Sequence, residues 1–156
     1  MRWEEIDVSE RLWTIPSDKA KNGISHRVPL STLALELLMR VRSAEEWVFP
    51  SPRGSSHIHP SAMNRALGKK HNDLGIPDFS PHDLRRTAAT YISSSGHPRL
   101  VVAKILNHVD RDITAVYDRY NYEDEKREAL DQWSNQLRST IAGEQLPARD
   151  GKRTDD

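Results

Sequence analysis

The spacing of apolar and polar residues predicts strands near the amino terminus and helices after them. The segments Leu12–Ile15 and His26–Leu30 have the composition of β-strands, and they predict an antiparallel hairpin. Asn22 and Gly23 lie between them and form a strong turn signal, because both residues tolerate a positive φ. Lys21 is therefore expected beside the tip of this hairpin.

Helical spacing of apolar residues predicts six helices after the hairpin. Their expected ranges are 32–42, about 60–74, 81–95, 98–107, about 112–120 and 123–142. The clearest boundary is at Ser80-Pro81-His82-Asp83, because serine, proline and an acid occupy the cap, first and third positions where each is favoured. The apolar stripes that indicate these helices are Leu33, Leu37, Leu38 and Val41, then Leu84, Ala88, Tyr91 and Ile92, then Val101, Val102, Ile105 and Leu106, which are expected to face a core, and finally Leu130, Trp133, Leu137 and Ile141.

These elements predict an α+β fold that is mainly α, with a small antiparallel β-sheet or hairpin near the amino terminus of a helical core. The 156 residues, of which 36% are hydrophobic and 29% charged, suit one compact domain. The chain has no cysteine, which excludes disulfides and thiolate chemistry. No apolar run approaches the roughly 18 residues that span a bilayer, so a soluble, cytoplasmic protein is expected.

The total charge of the chain does not indicate a binding partner, but the distribution of charge along the sequence is uneven. Lysine plus arginine equals aspartate plus glutamate, at 23 each. Residues 52–119 carry ten basic side chains against six acidic ones, whereas the stretch from 120 onward has six against nine. A basic middle beside an acidic end permits a nucleic-acid surface without requiring one.

Two residues at the start of the 81–95 helix are candidates for phosphate chemistry. His82 and Arg85 are three positions apart, so they share one face at the positive end of the helix and could hold a phosphate. The alternative is a surface histidine with an arginine that pairs with Asp83. Tyr117 is by itself as compatible with a half-buried aromatic as with a nucleophile, and Tyr120 and Tyr122 are residues of the same type.

The order of these residues resembles the tyrosine recombinases, the phage integrase family of site-specific DNA recombinases. The matching elements are the segment Pro81–Thr87 with its His-x-x-Arg, the tripeptide Leu106-Asn107-His108, and Tyr117 nine residues later. Residues 2–7 resemble the family's first strand, and residues 21–30 resemble its second and third strands, whose turn presents a catalytic lysine. The similarity covers about residues 2–140, and the tyrosine region is most like prophage and genomic-island integrases.

The resemblance implies a catalytic domain over residues 1–142, lacking its first helices, and a disordered tail over residues 143–156. The family needs another arginine in a helix just before the strand that starts here at Arg2. We therefore expect the chain to be a fragment that lacks this arginine and an amino-terminal DNA-clamping domain. Such a fragment should be monomeric, bind DNA weakly and cleave it poorly, whereas a full-length protein should form a synaptic tetramer on double-stranded attachment sites.

The resemblance also assigns roles to five side chains. Tyr117 would attack a DNA phosphodiester, His82 would act as acid and base, Arg85 and His108 would bind the phosphate oxygens, and Lys21 would protonate the departing 5′-oxygen. Lys19 is the competitor for that last role. No nucleotide cofactor or metal is implied, because the phosphotyrosyl ester stores the energy of the cleaved bond. His57 and His59 form a metal-like pair, but they lie in a Ser/Pro-rich loop without a third ligand nearby.

Other basic residues are candidates for contacts to the DNA backbone. Arg86 could bind a phosphate or form a salt bridge, and the remaining candidates could equally form a solvated face; they are Arg53, Arg65, Lys69 and Lys70. The last helix could pack on its own core or be exchanged with a neighbouring protomer. The main rival reading is a noncatalytic helix-turn-helix-like DNA-binding module over residues 81–107, and a third is a general phosphodiesterase.

Overall fold

The structure is a computed structural model that describes residues 1–52, 54, 56–76, 79–108 and 120–143. Within these ranges it has five α-helices and a three-stranded antiparallel sheet near the amino terminus. The predicted α+β, mainly α fold is therefore confirmed. None of the helices in the described ranges is long and apolar enough to cross a membrane.

The predicted hairpin is part of a sheet with the strand order β1-β2-β3. The strands are β1 (Ile6–Asp7), β2 (Leu12–Ile15) and β3 (His26–Pro29). In the β2–β3 register, Ile15 lies opposite His26, and this is the last pair before the loop that contains Lys21. β3 is an edge strand, which accommodates a proline that cannot donate to the ladder.

The connection between β2 and β3 is longer than a two-residue turn and spans residues 16–25. Of the two turn residues, only Gly23 adopts a positive φ, of 69°. Asn22 contributes through its side chain instead, since its Oδ1 accepts a hydrogen bond from the Ile24 amide at 3.1 Å. The expected turn therefore exists, but it is one corner of a loop.

The amino-terminal segment differs from the single strand expected over residues 2–7. Trp3–Glu5 forms a 3₁₀ turn, and only Ile6–Asp7 is a strand. The Glu5 carboxylate accepts hydrogen bonds from the Arg2 amide at 3.0 Å and from the Trp13 indole at 3.2 Å. These bonds close the turn and keep the first residues out of the sheet.

The helices confirm five of the six predicted ones, with ends that differ by about two residues, as is usual for helix termini. They are α1 (Thr32–Arg40), α2 (Ala62–Leu74), α3 (Pro81–Ser94), α4 (Arg99–Ile105) and α5 (Glu123–Ile141). The helix expected over 112–120 lies outside the described residues. The α3 start is confirmed, because Asp83 Oδ2 accepts from the Ser80 amide at 3.0 Å and from its hydroxyl at 2.7 Å.

Two apolar clusters form the core. The first joins the sheet to α1 and is built on Ile6, Leu30 and Val48, while the second joins α3, α4 and α5 and is built on Ile92, Val101 and Ala129. In this single chain, the last helix packs against α3 and α4. The second cluster supports the segment that carries Leu106-Asn107-His108.

Four members of the apolar stripes on the predicted helices are exposed. Because α1 turns Leu35 and Leu38 toward the first cluster, other members of its stripe face outward, and Leu84 lies in the first turn of α3, before its buried Ile92. At the end of α5, 78% of Ile141 is exposed, because this part of the helix extends past the core. The exposed residues are Leu37, Val41, Leu84 and Ile141.

We expect the two isoleucines at opposite extremes of burial to respond very differently to truncation. Ile92→Ala leaves a cavity where 2% of the residue was exposed, and should lower the free energy of unfolding by about 2–5 kcal/mol. Ile141→Ala should change it by less than about 0.5 kcal/mol. Urea denaturation followed by tryptophan fluorescence measures both, and equal losses would contradict the assignment of the core.

Candidate active site

The carboxyl end of α4 is held by other parts of the fold. The last carbonyls of a helix lack partners within it. The Asn107 and His108 amides satisfy two of them by donating to the Lys104 and Ala103 carbonyls, at 3.2 and 3.0 Å. This is the Schellman pattern of helix termination, and it leaves the carbonyls of Ile105 and Leu106 to be satisfied from elsewhere.

Side chains from α3 and from the hairpin satisfy both remaining carbonyls. Arg85 Nη2 donates to the Leu106 carbonyl, and the His26 ring hydrogen-bonds to the Ile105 carbonyl. Asn22 Nδ2 then donates to the side-chain oxygen of Asn107 at 3.1 Å. We name this set the α4 clamp; its residues are His26, Arg85 and Asn22, which hold Ile105, Leu106 and Asn107.

The α4 clamp brings together the elements that carry the predicted catalytic residues. Lys21 precedes Asn22 in the hairpin loop, and His108 follows Asn107. The hydrogen bond between the two asparagines therefore joins the chain neighbours of these two residues. His82 lies one turn before Arg85 on α3, and both side chains are exposed. The fifth predicted residue, Tyr117, lies outside the described residues.

Backbone geometry explains why an asparagine can occupy the middle of Leu106-Asn107-His108. Asn107 has a φ of 52°, in the left-handed region, and sits at the position where the Schellman pattern needs such a residue. Glycine is the usual choice there, and asparagine is the common substitute. The choice of asparagine adds the bond to Asn22, which a glycine could not make.

The structure separates the two candidate lysines. Lys19 Nζ lies 2.5 Å from the Glu5 carboxylate, whose side chain is 6% exposed. Burial raises the pKa of Glu5, but hydrogen bonds from Lys19, the Arg2 amide and Trp13 outweigh it and lower the pKa. Lys21 is exposed and makes no hydrogen bond or ion pair with the described residues. Lys21 is therefore the one of the two whose ammonium is available to a ligand.

Arg85 and Arg86 have different surroundings, although they are adjacent in the sequence. Arg86 forms a salt bridge with Asp83 at 3.0 Å, which was one of the two roles expected for it. Arg85 does not pair with Asp83, and its guanidinium donates to the Leu106 carbonyl instead. Hydrogen bonds from the Ser80 hydroxyl and amide lower the pKa of Asp83, and Arg86 adds to the effect. Arg86 also lines a cleft of about 590 Å³ between α3 and α4, together with Arg99 and His108.

The basic residues of α2 form a separate group. Arg65 donates to the Ser61 hydroxyl at 2.7 Å, and Lys70 pairs with Asp73 at 2.9 Å. The side chains of Arg65, Lys69 and Lys70 are all exposed. No hydrogen bond or ion pair within the described ranges connects them to the α4 clamp. Arg53 lies outside those ranges.

The three described tyrosines occupy other environments. The Tyr91 ring packs 5.2 Å from the Trp133 ring in the second core cluster. Tyr122 is half-buried, and Lys104 Nζ lies 5.2 Å from the centre of its ring. Tyr120 is exposed, and its pKa is raised mainly by the negative charge of the nearby Glu125.

Comparison with known proteins identifies the family. The sequence model of the phage integrase family matches residues 1–124. The chain belongs to the phage integrase family. It is 31% identical to prophage integrase IntA of Escherichia coli K12 over 147 residues. These residues cover 91% of this chain and 35% of that protein. Prophage integrase IntZ of the same strain is 30% identical over 152 residues, covering 94% of this chain and 37% of its own length.

A tyrosine recombinase outside the prophage integrases also matches. XerC of Rhizobium meliloti is 30% identical over 105 residues, which cover 62% of this chain and 33% of that protein. The chain thus spans about a third of the length of these curated relatives. No solved structure matches it significantly. The resemblance to tyrosine recombinases and prophage integrases drawn from the sequence is confirmed.

Sequence reasoning missed two side chains, one in the α4 clamp and one beside it. His26 was expected only as a strand residue. The open carbonyls at the end of α4 signal that donors must come from elsewhere in the chain, but they do not say which residues supply them. Lys126 was expected only on the last helix. It is 4% exposed, donates to the Arg27 carbonyl at 2.7 Å, and has a pKa lowered by burial and by nearby positive charge.

The histidines that the structure describes do not cluster with other metal-binding side chains. Among the described residues, no group of three or more histidine or acidic side chains could hold a metal ion. The ring of His57 packs at 4.8 Å against Trp47, and His59 Nδ1 lies 2.8 Å from the Ser61 hydroxyl. Both residues have neighbours that account for their positions.

The left-handed backbone geometry of Asn107 predicts a reversal of the usual stability ranking of alanine and glycine variants. Asn107→Ala should lower the free energy of unfolding by about 1 kcal/mol more than Asn107→Gly, because only alanine is strained at positive φ. At the exposed helical position Asn135, the glycine variant should instead be the less stable by about 1 kcal/mol. Chemical denaturation of the four variants tests this, and the same ranking at both positions would refute it.

Proposed function

We propose that this chain is the strand-transferring part of a site-specific tyrosine recombinase that cuts and rejoins double-stranded DNA through a 3′-phosphotyrosyl intermediate. Membership of the phage integrase family supports recombination in general terms. The observation that carries the finer proposal is the α4 clamp, which connects the elements bearing Lys21, Arg85 and His108. Three groups able to donate to a phosphodiester thus belong to one connected unit.

In the first step, the Tyr117 hydroxyl attacks the phosphorus and the bond to the 5′-oxygen breaks. A phenol with an ordinary pKa near 10 is mostly protonated at neutral pH, so it needs a base. His82 accepts the phenolic proton, because imidazole is the side chain that most often serves as a general base and the side chain of His82 is exposed. Attack by a 5′-hydroxyl from a partner strand reverses the step and releases the tyrosine.

Arg85 and His108 hold the nonbridging oxygens, where negative charge accumulates in the transition state. A guanidinium has five N–H donors in a planar fork. Arg85 uses one of them on the Leu106 carbonyl, which fixes the plane of the fork and leaves other donors for phosphate. Loss of one such donor commonly reduces the rate by about 10²–10³-fold.

Lys21 donates the proton that the departing 5′-oxygen needs. The exposed ammonium of Lys21 contrasts with that of Lys19, which is bound to the largely buried Glu5 carboxylate. If Lys19 moved to the substrate, the largely buried Glu5 carboxylate would lose its cationic partner. The free-energy cost of that loss opposes the movement. This difference supports Lys21 as the general acid.

DNA backbone contacts and assembly complete the proposal. The cleft lined by Arg86 and Arg99 has the charge to accept phosphates beside His108. The exposed basic side chains of α2 and Arg53 would add contacts along the duplex; those on α2 are Arg65, Lys69 and Lys70. The complete gene product would assemble as a tetramer on its attachment sites.

Substitution of the proposed nucleophile should abolish covalent capture of DNA. In the complete gene product, Tyr117→Phe removes the attacking oxygen while retaining the ring, so it should bind DNA as before and form no covalent adduct. The assay incubates the protein with a nicked duplex carrying the attachment site, whose cleaved strand diffuses away, and detects the adduct on a denaturing gel. Binding is measured in parallel by mobility shift.

Tyr120→Phe is the matched control, since it removes the same hydroxyl from an exposed tyrosine nearby. It should capture DNA at the unmodified rate. Capture that survives in Tyr117→Phe would sink the assignment of the nucleophile. DNA binding without capture by the unmodified complete protein on a verified site would favour the noncatalytic DNA-binding module.

A modified substrate distinguishes the general acid from the phosphate ligands. Lys21→Ala should cleave ordinary DNA slowly, but cleave DNA with a 5′-bridging sulfur at nearly the unmodified rate, because a thiolate departs without being protonated. Arg85→Ala should stay slow on both substrates, and Lys19→Ala should cleave both nearly normally. Single-turnover cleavage provides the rates, and failure of sulfur to rescue Lys21→Ala would exclude it as the acid.

A further inference from the structure

His26 lies where the hairpin, α3, α4 and α5 meet. It is the first residue of β3, it pairs with Ile15 across the sheet, and its side chain is half-buried. The ring hydrogen-bonds to the Ile105 carbonyl, one of the two carbonyls that the Schellman pattern leaves open. The adjacent Leu106 carbonyl is the one that holds Arg85.

The charged groups around His26 favour its neutral form. Burial and the positive charges of Lys126 on α5 and Arg85 on α3 lower the pKa of His26, and they outweigh the hydrogen bond to the Ile105 carbonyl, which raises it. Lys126 in turn interacts with Arg27, which pairs with Glu123 at 2.9 Å, and with Lys104 on α4. A neutral imidazole has one N–H, which the bond to the Ile105 carbonyl uses as its donor.

We propose that His26 is a positioning residue for strand transfer, which fixes the end of α4 so that Arg85 and His108 face the same phosphate. The inference rests on the proposed function for its catalytic part. His26 acts through the helix end: it satisfies the carbonyl next to the one that orients Arg85, three residues before His108. It is not expected to contact DNA.

The structural part can be tested on the 156-residue chain without any DNA. His26→Leu removes the donor, while His26→Asn and His26→Gln keep an amide N–H near the position of either ring nitrogen. In His26→Leu, hydrogen exchange of the Leu106 and His108 amides should speed up, whereas exchange at the core residue Ile92 should not. One of the two amide variants should restore slow exchange.

The matched control is His97→Leu. His97 is also half-buried, and its Nε2 lies 2.6 Å from Gln132 Oε1 on α5, beyond the carboxyl end of α3. This variant should leave exchange at Leu106 and His108 unchanged. If both leucine variants loosen these amides equally, or if His26→Leu leaves them unchanged, the proposed action on α4 is wrong.

The catalytic part is tested on the complete gene product with the nicked duplex. His26→Leu should slow single-turnover capture on the order of 10²-fold, because misplacement of a site by about 1 Å has an effect of that size. The dissociation constant for DNA should change little, and the variant that restores slow exchange should restore most of the rate. A rate equal to that of His97→Leu would overturn the proposal.

The pH dependence of stability provides a further readout. Because the folded pKa lies below the unfolded value, about 6.5, the unfolded chain binds a proton first as the pH falls. Stability should therefore be fully present above about pH 6.5 and decrease below it. Urea denaturation between about pH 5 and 7 measures this decrease in the free energy of unfolding. The decrease should be smaller in His26→Asn and His26→Gln and should persist in His97→Leu.

The two proposals fail in different ways. If Tyr117→Phe still captures DNA, the nucleophile is wrong, but the effect of His26 on hydrogen exchange stands. If capture depends on Tyr117 while His26→Leu captures DNA at the unmodified rate, the proposed function stands and the positioning role of His26 is excluded.

Discussion

The need to satisfy every carbonyl at the carboxyl end of α4 organises this molecule around Leu106-Asn107-His108. A buried or half-buried carbonyl without a donor costs about 1–3 kcal/mol. The chain satisfies two carbonyls with its own amides and the next two with His26 and Arg85. Because those donors come from different elements, the helix end becomes the point where the hairpin and α3 must meet.

The two core clusters make this meeting point rigid. Ile92, Val101 and Ala129 hold α3, α4 and α5 together, while Lys126 donates from α5 to the backbone of β3. The sheet is attached to α1 by the first apolar cluster, and the bond from Lys126 ties β3 to α5. In the proposed reaction, such rigidity keeps donors in place before charge develops, so little reorganisation is needed.

The arrangement also distributes charge in a useful way. Arg86 is paired with Asp83 and Lys19 with Glu5, whereas the Arg85 guanidinium donates to an uncharged carbonyl. Arg85 and Lys21 form no ion pair with the described residues. In the proposed reaction, these two cations can therefore bind the phosphate without first breaking an ion pair within the described part of the fold.

The sequence by itself determined the features that depend on local chemistry: the α3 cap at Ser80, the hairpin strands, five described helices and the family motif. It could not determine which members of an apolar stripe are buried, and Leu37 and Leu84 are exposed in the structure. Nor could it single out His26, because its partner Ile105 is a backbone carbonyl, which every residue has. Only the tertiary structure decides such pairings, since they depend on which open carbonyl meets which donor after distant elements pack.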